Sequence, residues 1–338
     1  MSIPSRKIGK NVEPNFSEIG FGAMGIARFY GAVESDEERL KVLDAAYNAG
    51  CRHWDTAHIY GDSENLIGKW FQRNPGKRSE IFLATKFGVG PSGASSRPDL
   101  IKEQLATSLE RLGVEYIDLY YQHRIDPQIP IEETVGEMAK LVENKQVRYL
   151  GLSECSAKAL ERAYKVHPIS ALQIEYSPFV IDIEKNGLLE MARKLEVTIV
   201  AYSPLGRGLL TGRFKSPEDF EPDDFRRAIP KYFEANFPNI LKLVDKLKFI
   251  GEKYDNATAG QVTLAWILAQ GPEFVVIPGT KKIQYLEENL RASALTLTTD
   301  VIKEIHKFAE AAEADIPGTR YDETRMAGLL LDSPELPK

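Results

Sequence analysis

The chain has 338 residues, of which 43% are hydrophobic and 27% charged. This composition is typical of a globular protein with a large core and excludes disorder over the whole chain. A formal net charge of −6 argues against a nucleic-acid partner, and two cysteines cannot form a disulfide framework. The start of the chain lacks an apolar leader, and no run of about 18 apolar residues occurs, so we expect a cytoplasmic protein without membrane contact.

Eight strand-like runs alternate with helical stretches along the chain. Several of the runs are almost continuously apolar, which is typical of parallel strands covered on both faces. Ser35 and Glu38 have the spacing of a capping box that opens the first helix. The runs cover residues 18–24, 53–57, 81–86, 117–123, 147–153, 171–176, 197–203 and 274–278.

This alternation predicts an α/β fold, namely a closed (β/α)₈ TIM barrel, with an open doubly wound sheet as the rival. Gly20, Gly22 and Gly25 favour the rival, because G-x-G-x-x-G after a strand is the fingerprint of dinucleotide-binding sheets. In such sheets, however, the glycines open a helix, whereas here about ten residues intervene before a helical pattern begins. We therefore predict one barrel domain over residues 1–338, with a core at about 17–310 and a tail at 311–338.

Four polar side chains fall at the carboxyl ends of three neighbouring predicted strands, where barrel enzymes place their active sites. Asp55 and Tyr60 follow the second strand, Lys86 ends the third, and His123 ends the fourth. Taken one at a time, each has an ordinary structural explanation: a helix cap for Asp55, a turn residue for Tyr60, a solvated lysine for Lys86 and a core histidine for His123.

Together, these four residue types have a chemical logic. An ammonium lowers the pKa of a neighbouring phenol, a carboxylate keeps that ammonium charged, and a neutral imidazole can donate to a carbonyl oxygen. The group predicts proton delivery to an oxygen that gains negative charge, as when hydride adds to a carbonyl.

Two other chemistries are disfavoured. His53, His58 and His123 suggest zinc, but no cysteine pair or H-E-x-x-H spacing supports it, and His53 and His58 would point to opposite faces of a strand. A serine hydrolase is unsupported because no G-x-S-x-G turn is present. We therefore predict no metal.

Short motifs at separated places along nearly the whole chain resemble those of the aldo-keto reductases, and two of them especially resemble the fungal aldehyde-reductase-like members. The general motifs are GFG at 20–22, DTAHIYG at 55–61, ATK at 84–86, QH at 122–123 and LEEN at 286–289, and the two fungal-type motifs are GLSECS at 151–156 and GRGLLTG at 206–212. The resemblance implies a (β/α)₈ barrel with an N-terminal hairpin at residues 5–16 and long loops at the carboxyl face.

The resemblance also implies roles for the four polar residues. Tyr60 would be the general acid, Lys86 would tune it, and Asp55 would hold Lys86. His123 would orient the carbonyl.

The family uses NADP(H), and the resemblance implies where it would bind. The nicotinamide would lie near Ser153 and Gln173 and stack on Tyr202. Glu154 stands where relatives often have asparagine, and an ionised glutamate cannot donate to the carboxamide oxygen. Lys282, with Lys281, would replace the arginine that often binds the 2′-phosphate, and we predict NADPH over NADH. The expected cofactor-binding residues are Gly22, Met24, Ser153, Glu154, Gln173, Tyr202, Ser203, Leu205, Gly206, Gly208, Gly279, Thr280, Lys282, Glu288 and Asn289.

The predicted function is therefore NADPH-dependent reduction of aldehydes or ketones to alcohols, with a small-molecule carbonyl as partner. Arg124 would either bind an acidic substituent of the substrate or lie in solvent. One alternative is a nucleotide-sensing regulatory subunit resembling potassium-channel β subunits, which also retain the residues corresponding to Asp55, Tyr60, Lys86 and His123, the group that we term the tetrad. Another is a barrel of unrelated chemistry. The sequence carries no signal for an oligomeric state. The residues expected to line the substrate pocket are Phe29, Tyr30, Ile59, Phe87 and Arg124.

Overall fold

The computed structural model describes residues 3–90 and 93–337. The strands are β1 (Ser5–Ile8), β2 (Asn11–Ser17), β3 (Phe21–Gly22), β4 (His53–Asp55), β5 (Phe82–Phe87), β6 (Val89–Gly90), β7 (Gly93–Ala94), β8 (Ile117–Gln122), β9 (Val147–Ser153), β10 (Ile169–Glu175), β11 (Thr198–Tyr202) and β12 (Phe274–Val276). The helices are α1 (Met24–Ala27), α2 (Asp36–Asn48), α3 (Ser63–Arg73), α4 (Pro98–Leu112), α5 (Ile131–Glu143), α6 (Ala157–Val166), α7 (Leu188–Lys194), α8 (Phe237–Glu252), α9 (Ala259–Leu268), α10 (Ile283–Arg291), α11 (Thr299–Asp315) and α12 (Glu323–Met326).

Eight parallel strands curl into the predicted (β/α)₈ barrel. Their order in the sheet is β3-β4-β5-β8-β9-β10-β11-β12, which follows the order along the chain. The residues just before β3 pair with the last strand, β12, through backbone hydrogen bonds from Gly20 N to Val276 O at 2.8 Å and from Val276 N to Glu18 O at 2.9 Å. The barrel is therefore closed, and the open-sheet rival is wrong.

The apolar runs form strands because both of their faces are covered. Every residue of β5, β8 and β10 is buried, one face packing inside the barrel and the other against the helices. The buried apolar side chains between the helices and the sheet form one large cluster. A smaller cluster of apolar side chains fills the barrel interior. This double coverage is what the near-continuous apolar pattern indicates.

The N-terminal hairpin forms as expected and closes the bottom of the barrel. Strands β1 and β2 pair antiparallel, and Ile8 and Phe16 are fully buried against the interior cluster. The ring of Phe16 lies 4.7 Å from that of Phe82 and 4.6 Å from that of His53. The opposite, carboxyl end is thus left as the open end.

The glycines of the G-x-G-x-x-G pattern serve barrel closure. A Cβ on Gly20 would lie 2.7 Å from the His53 ring, and one on Gly22 would lie 2.6 Å from the Ile277 carbonyl oxygen. Only glycine permits such close approach of backbones. One difference from the sequence prediction is the single turn α1, which begins at Met24 where no helix is expected before Ser35. Its buried Ile26 and Ala27 pack into the core.

Helix ends follow local chemistry. The side chain of Ser35 accepts from the backbone N–H of Glu38 and so caps α2, although only this half of the expected capping box forms. Helix α4 begins with Pro98 and ends before Gly113, which has a φ of 63°. Within the ranges that the structure describes, no helix is both long and apolar enough to cross a membrane.

Candidate active site

Four side chains from three adjacent strands meet at the open end of the barrel. Asp55 ends β4, Lys86 lies one residue before the end of β5, and His123 follows β8. Tyr60 lies in the turn between β4 and α3. Because β4, β5 and β8 are neighbours in the sheet, the structure brings together the four residues that the sequence groups.

Asp55 and Lys86 form a buried ion pair. Nζ of Lys86 donates to Oδ1 of Asp55 at 2.5 Å and to the Thr56 carbonyl oxygen at 2.6 Å. Nε2 of Gln173 donates to the second carboxylate oxygen of Asp55 at 2.8 Å. Burial lowers the pKa of Lys86, and the Asp55 carboxylate opposes this shift. The pair can remain charged inside the protein because its hydrogen-bonding groups are satisfied.

Tyr60 and His123 lie on the cavity side of this ion pair. Their rings meet edge to face, with centroids 5.6 Å apart, and Nζ of Lys86 is 5.0 Å from the Tyr60 ring centroid. Burial, with the charges of Arg124 and Lys86, holds the pKa of His123 well below its ordinary value. His123 is therefore a neutral imidazole at physiological pH, as expected for a group that donates to a carbonyl oxygen.

The pKa of Tyr60 shifts in the direction opposite to the expectation. Burial raises it above the ordinary value of 10, the Asp55 charge raises it further, and Arg124 works against both. The ammonium of Lys86 is already neutralised by its partner Asp55, which explains why its influence on the phenol is small. Tyr60 consequently stays a protonated phenol at neutral pH.

A cavity of about 1590 Å³ runs from Tyr60 and His123 to the start of α10. This exceeds the roughly 300–1,000 Å³ of a typical small-ligand pocket and leaves room for a dinucleotide beside a substrate. Of the expected cofactor-binding residues, those on its wall are Gly22, Met24, Ser153, Gln173, Tyr202, Ser203, Leu205, Gly208, Gly279, Thr280, Lys282, Glu288 and Asn289.

Two expected cofactor residues do not line the cavity. Glu154 is fully buried, and its carboxylate forms two hydrogen bonds of 2.7 Å with the guanidinium of Arg320. Gly206 lies against the ring of Phe179, and its N–H donates to the Ser203 carbonyl oxygen at 2.9 Å. Neither residue lines the cavity, so the structure gives no support for direct contact of Glu154 or Gly206 with a cofactor.

The expected substrate residues divide in the same way. Phe29, Tyr30, Ile59 and Arg124 line the cavity. Phe87 does not, because side chains alternate along β5 and Phe87 faces the helices while Lys86 faces inward. The Phe87 ring stacks on that of Tyr120 at 5.0 Å.

Arg124 lies in the cavity wall and not in bulk solvent. One guanidinium nitrogen, Nη1, donates to the His123 carbonyl oxygen at 2.7 Å and to Oγ of Ser153 at 3.2 Å. Within residues 3–90 and 93–337, no carboxylate lies within 4.0 Å of its guanidinium nitrogens.

The far end of the cavity is cationic. Nζ of Lys282 is exposed and lies 3.2 Å from Glu34, and the residue directly precedes α10. Lys281 instead donates to the carbonyl oxygens of Tyr30 and Ala32, and burial lowers its pKa. Arg213 and Lys248, which sequence reasoning missed, also line this end. A cationic end fits the phosphate groups of a dinucleotide.

Loops complete the cavity walls. The stretch between β11 and α8 is a series of short 3₁₀ turns, and its Phe214, Asp224 and Phe225 line the cavity. Tyr321 and Arg325 line it from the C-terminal segment. Among the residues that the structure describes, no three His, Cys, Asp or Glu side chains are grouped so that they could hold a metal ion.

Comparisons with known proteins agree with this architecture. The aldo/keto reductase family profile matches residues 18–310. The chain is 66% identical to aldo-keto reductase str7 of Strobilurus tenacellus over 345 residues, and 45% identical to the NADP(+) aldo-keto reductase yakc of Schizosaccharomyces pombe over 348 residues, with both chains fully covered in each case. A solved structure of a thermostable aldo-keto reductase, Tm1743, with the inhibitor epalrestat has a TM-score of 0.74 and 32% identity, covering 91% of this chain and 100% of that one.

Proposed function

The chain belongs to the aldo/keto reductase family, and we propose that it is an NADPH-dependent reductase that converts aldehydes or ketones to alcohols. The observation that carries the proposal is the buried Asp55–Lys86 pair directly behind Tyr60 and His123, at the inner end of the large cavity. A proton donor and a neutral hydrogen-bond donor there face the place where a carbonyl oxygen can enter.

The proton comes from Tyr60. When NADPH is bound it supplies the hydride that adds to the carbonyl carbon. The carbonyl oxygen gains the electron pair of the broken π bond and takes the phenolic proton, so an alcohol forms. The charge of Arg124 favours the phenolate that Tyr60 leaves behind, and the ammonium of Lys86, 5.0 Å from the ring centroid, contributes less because Asp55 offsets its charge.

His123 and the ion pair set the geometry of this transfer. A neutral imidazole can donate to the carbonyl oxygen without competing for the proton that Tyr60 delivers. Asp55 fixes Lys86, and Gln173 fixes Asp55 through its amide nitrogen. Asp55 and Lys86 are therefore each held by a second hydrogen bond, to Gln173 and to the Thr56 carbonyl oxygen, which limits the motion of the ion pair behind the reacting groups.

The residues of the cavity wall fit NADPH. The amide nitrogen of Gln173 binds Asp55, so its amide oxygen is available to accept from the nicotinamide carboxamide, beside Ser153 and over the ring of Tyr202. Lys282 would hold the 2′-phosphate, which makes NADPH the preferred cofactor. Phe29, Tyr30 and Ile59 would contact the apolar part of the substrate, and Arg124 an acidic substituent.

A binding and turnover experiment tests the proposal. We expect fluorescence titration to show saturable binding of NADPH that is tighter than that of NADH. A screen of aldehydes and ketones, followed by the loss of NADPH absorbance, should then give turnover with at least one substrate class. Saturable binding without turnover on any carbonyl would contradict a reductase, and comparable catalytic efficiency with NADH and NADPH would contradict the cofactor preference.

A further inference from the structure

A second cluster of buried charges lies at the same end of the barrel, outside the tetrad. Glu154 follows β9, Glu175 ends β10, Arg207 lies after β11, and Arg320 lies in the C-terminal segment. Their side chains are between 0% and 6% exposed. Arg207 donates to Glu175 at 3.0 Å, and Arg320 donates to both carboxylates. We refer to these two acids and two bases as the four-charge cluster.

The C-terminal segment is attached to the barrel at two points, both through Glu154. The Glu154 carboxylate binds Arg320 through two hydrogen bonds of 2.7 Å, while the Glu154 carbonyl oxygen accepts from the N–H of Leu330 at 2.9 Å. Leu331 then pairs with Cys155. Residues 320–330, which we term the C-terminal loop, are therefore closed at both ends by Glu154.

The C-terminal loop forms one wall of the cavity but has little apolar anchorage of its own. Its Tyr321, Thr324, Arg325 and Leu329 line the cavity. Only Arg320 and Leu329 are buried in this stretch. A segment with few buried apolar contacts opens easily unless polar contacts hold it. At its start the Arg320 side chain binds the two glutamates, the Arg320 carbonyl oxygen accepts from Arg207 at 3.0 Å, and the Thr319 carbonyl oxygen accepts from the Lys231 N–H at 3.2 Å.

The same contacts fix Tyr202, the proposed platform for the nicotinamide. Its hydroxyl donates to Glu154 at 2.7 Å and accepts from Arg320 at 3.1 Å and from Tyr321 at 3.3 Å. One donor and two acceptor positions are all that a hydroxyl offers, so this one is fully satisfied. Glu154 itself has a φ of 53°, a left-handed conformation that is rare for glutamate.

We propose that Glu154 is a positioning residue that, through Arg320, holds the C-terminal loop as a substrate-selecting wall and orients Tyr202. Burial alone would raise the pKa of Glu154, but Arg320, together with the charge of Arg124 and the hydrogen bond from Tyr202, lowers it below its ordinary value, so the carboxylate is ionised. The change in substrate selectivity that this proposal predicts rests on the proposed reductase function, whereas the attachment of the loop does not.

Hydrogen exchange measured by mass spectrometry tests the attachment directly. In Glu154→Gln, and in the milder Arg320→Lys that keeps the charge but loses the paired geometry, we expect amides of residues 320–329 to exchange about tenfold faster, with β5 and β8 unchanged. Glu335→Gln is the matched control, since it removes an exposed pair with Lys158 farther along the tail. Unchanged exchange of the loop in a folded variant would overturn the proposal.

Substrate discrimination provides the second measurement. We compare kcat/KM for 2-naphthaldehyde, which is large enough to reach the loop, with that for propanal, which is not. The ratio should fall about tenfold in both variants, mainly through the KM of the larger aldehyde. If hydrogen exchange shows that the loop is loosened but the ratio of kcat/KM values does not fall, the role of the loop in substrate selection is overturned. If the wild type reduces neither aldehyde, the proposed function fails, and hydrogen exchange alone still decides the attachment.

Discussion

The open end of the barrel holds two buried groups of charges that are built in different ways. The tetrad draws Asp55, Lys86 and His123 from successive strand ends and has one ion pair beside a neutral phenol. The four-charge cluster has equal numbers of acids and bases, and its Arg320 lies 145 residues beyond Glu175 in the chain. The first places the Tyr60 phenol beside its ion pair at the cavity, whereas in the second each acid is paired with a base. Burial of charge by itself therefore does not distinguish the two groups; the phenol beside the ion pair does.

Tyr60→Phe should have the largest effect and tests whether chemistry belongs to the tetrad. Loss of the phenolic proton should lower turnover by about a thousandfold, the range of general acid catalysis, while NADPH affinity is retained. Steady-state rates and fluorescence titration measure the two quantities. Turnover comparable to that of the wild type would remove Tyr60 as the acid.

Lys86→Met sharpens the comparison by breaking the ion pair of the tetrad. The variant leaves the Asp55 carboxylate buried with Gln173 as its remaining side-chain donor, so we expect about 3–5 kcal/mol lower unfolding free energy. Turnover should fall about a hundredfold. Denaturant unfolding and rate assays check both.

Asp55→Asn is the control for this prediction. It removes the opposite charge of the same pair, and a loss of stability similar to that in Lys86→Met indicates a coupled pair. If Lys86→Met is as stable as the wild type, the Asp55–Lys86 contact of 2.5 Å does not contribute to stability as a buried ion pair should.

Lys282→Ala should weaken cofactor binding and leave both buried groups of charges unchanged. Its Nζ is exposed near Glu34, so the fold loses little, but a point charge for the 2′-phosphate is removed. We expect the Kd of NADPH to rise about tenfold and that of NADH to stay unchanged. Fluorescence titration with both cofactors decides it; equal changes for the two would rule out a 2′-phosphate contact.

His53 contrasts with both clusters, because neither of its buried ring nitrogens has a hydrogen-bond partner in the part of the chain that the structure describes. Burial lowers its pKa from 6.5 to about 3. Below pH 6.5 the unfolded chain binds a proton that the folded chain does not, so stability is lost as pH falls from 6.5 toward 3. Between pH 6 and 4, wild type should lose about 1 kcal/mol per pH unit relative to His53→Leu. Parallel stability curves, measured by denaturant unfolding, would contradict this.

The tetrad could be predicted because regular strands place it. Once eight apolar runs predict a barrel, Asp55, Lys86 and His123 necessarily fall at one end. Strand alternation could also have excluded Phe87, since it is adjacent to the inward-facing Lys86, but the sequence prediction considered only its position at the strand end.

The four-charge cluster could not be predicted in this way. Arg207 and Arg320 lie in irregular segments, where neither periodicity nor strand order says which side chains meet. Glutamate at position 154 is the one signal in the sequence, because an ionised glutamate cannot donate a hydrogen bond to the carboxamide oxygen. The direction of the Tyr60 pKa was also missed, since the extent of burial depends on loops whose paths the sequence does not specify.

Transfer of an isotope from the cofactor tests the central proposal most directly. NADPH carrying deuterium at both positions of the reactive nicotinamide carbon is supplied with an aldehyde that the protein turns over, and the alcohol is analysed by mass spectrometry and NMR. We predict one deuterium on the carbinol carbon and none from deuterated water at that carbon. An alcohol with solvent hydrogen at that carbon, or no alcohol from any carbonyl, would contradict NADPH-dependent carbonyl reduction.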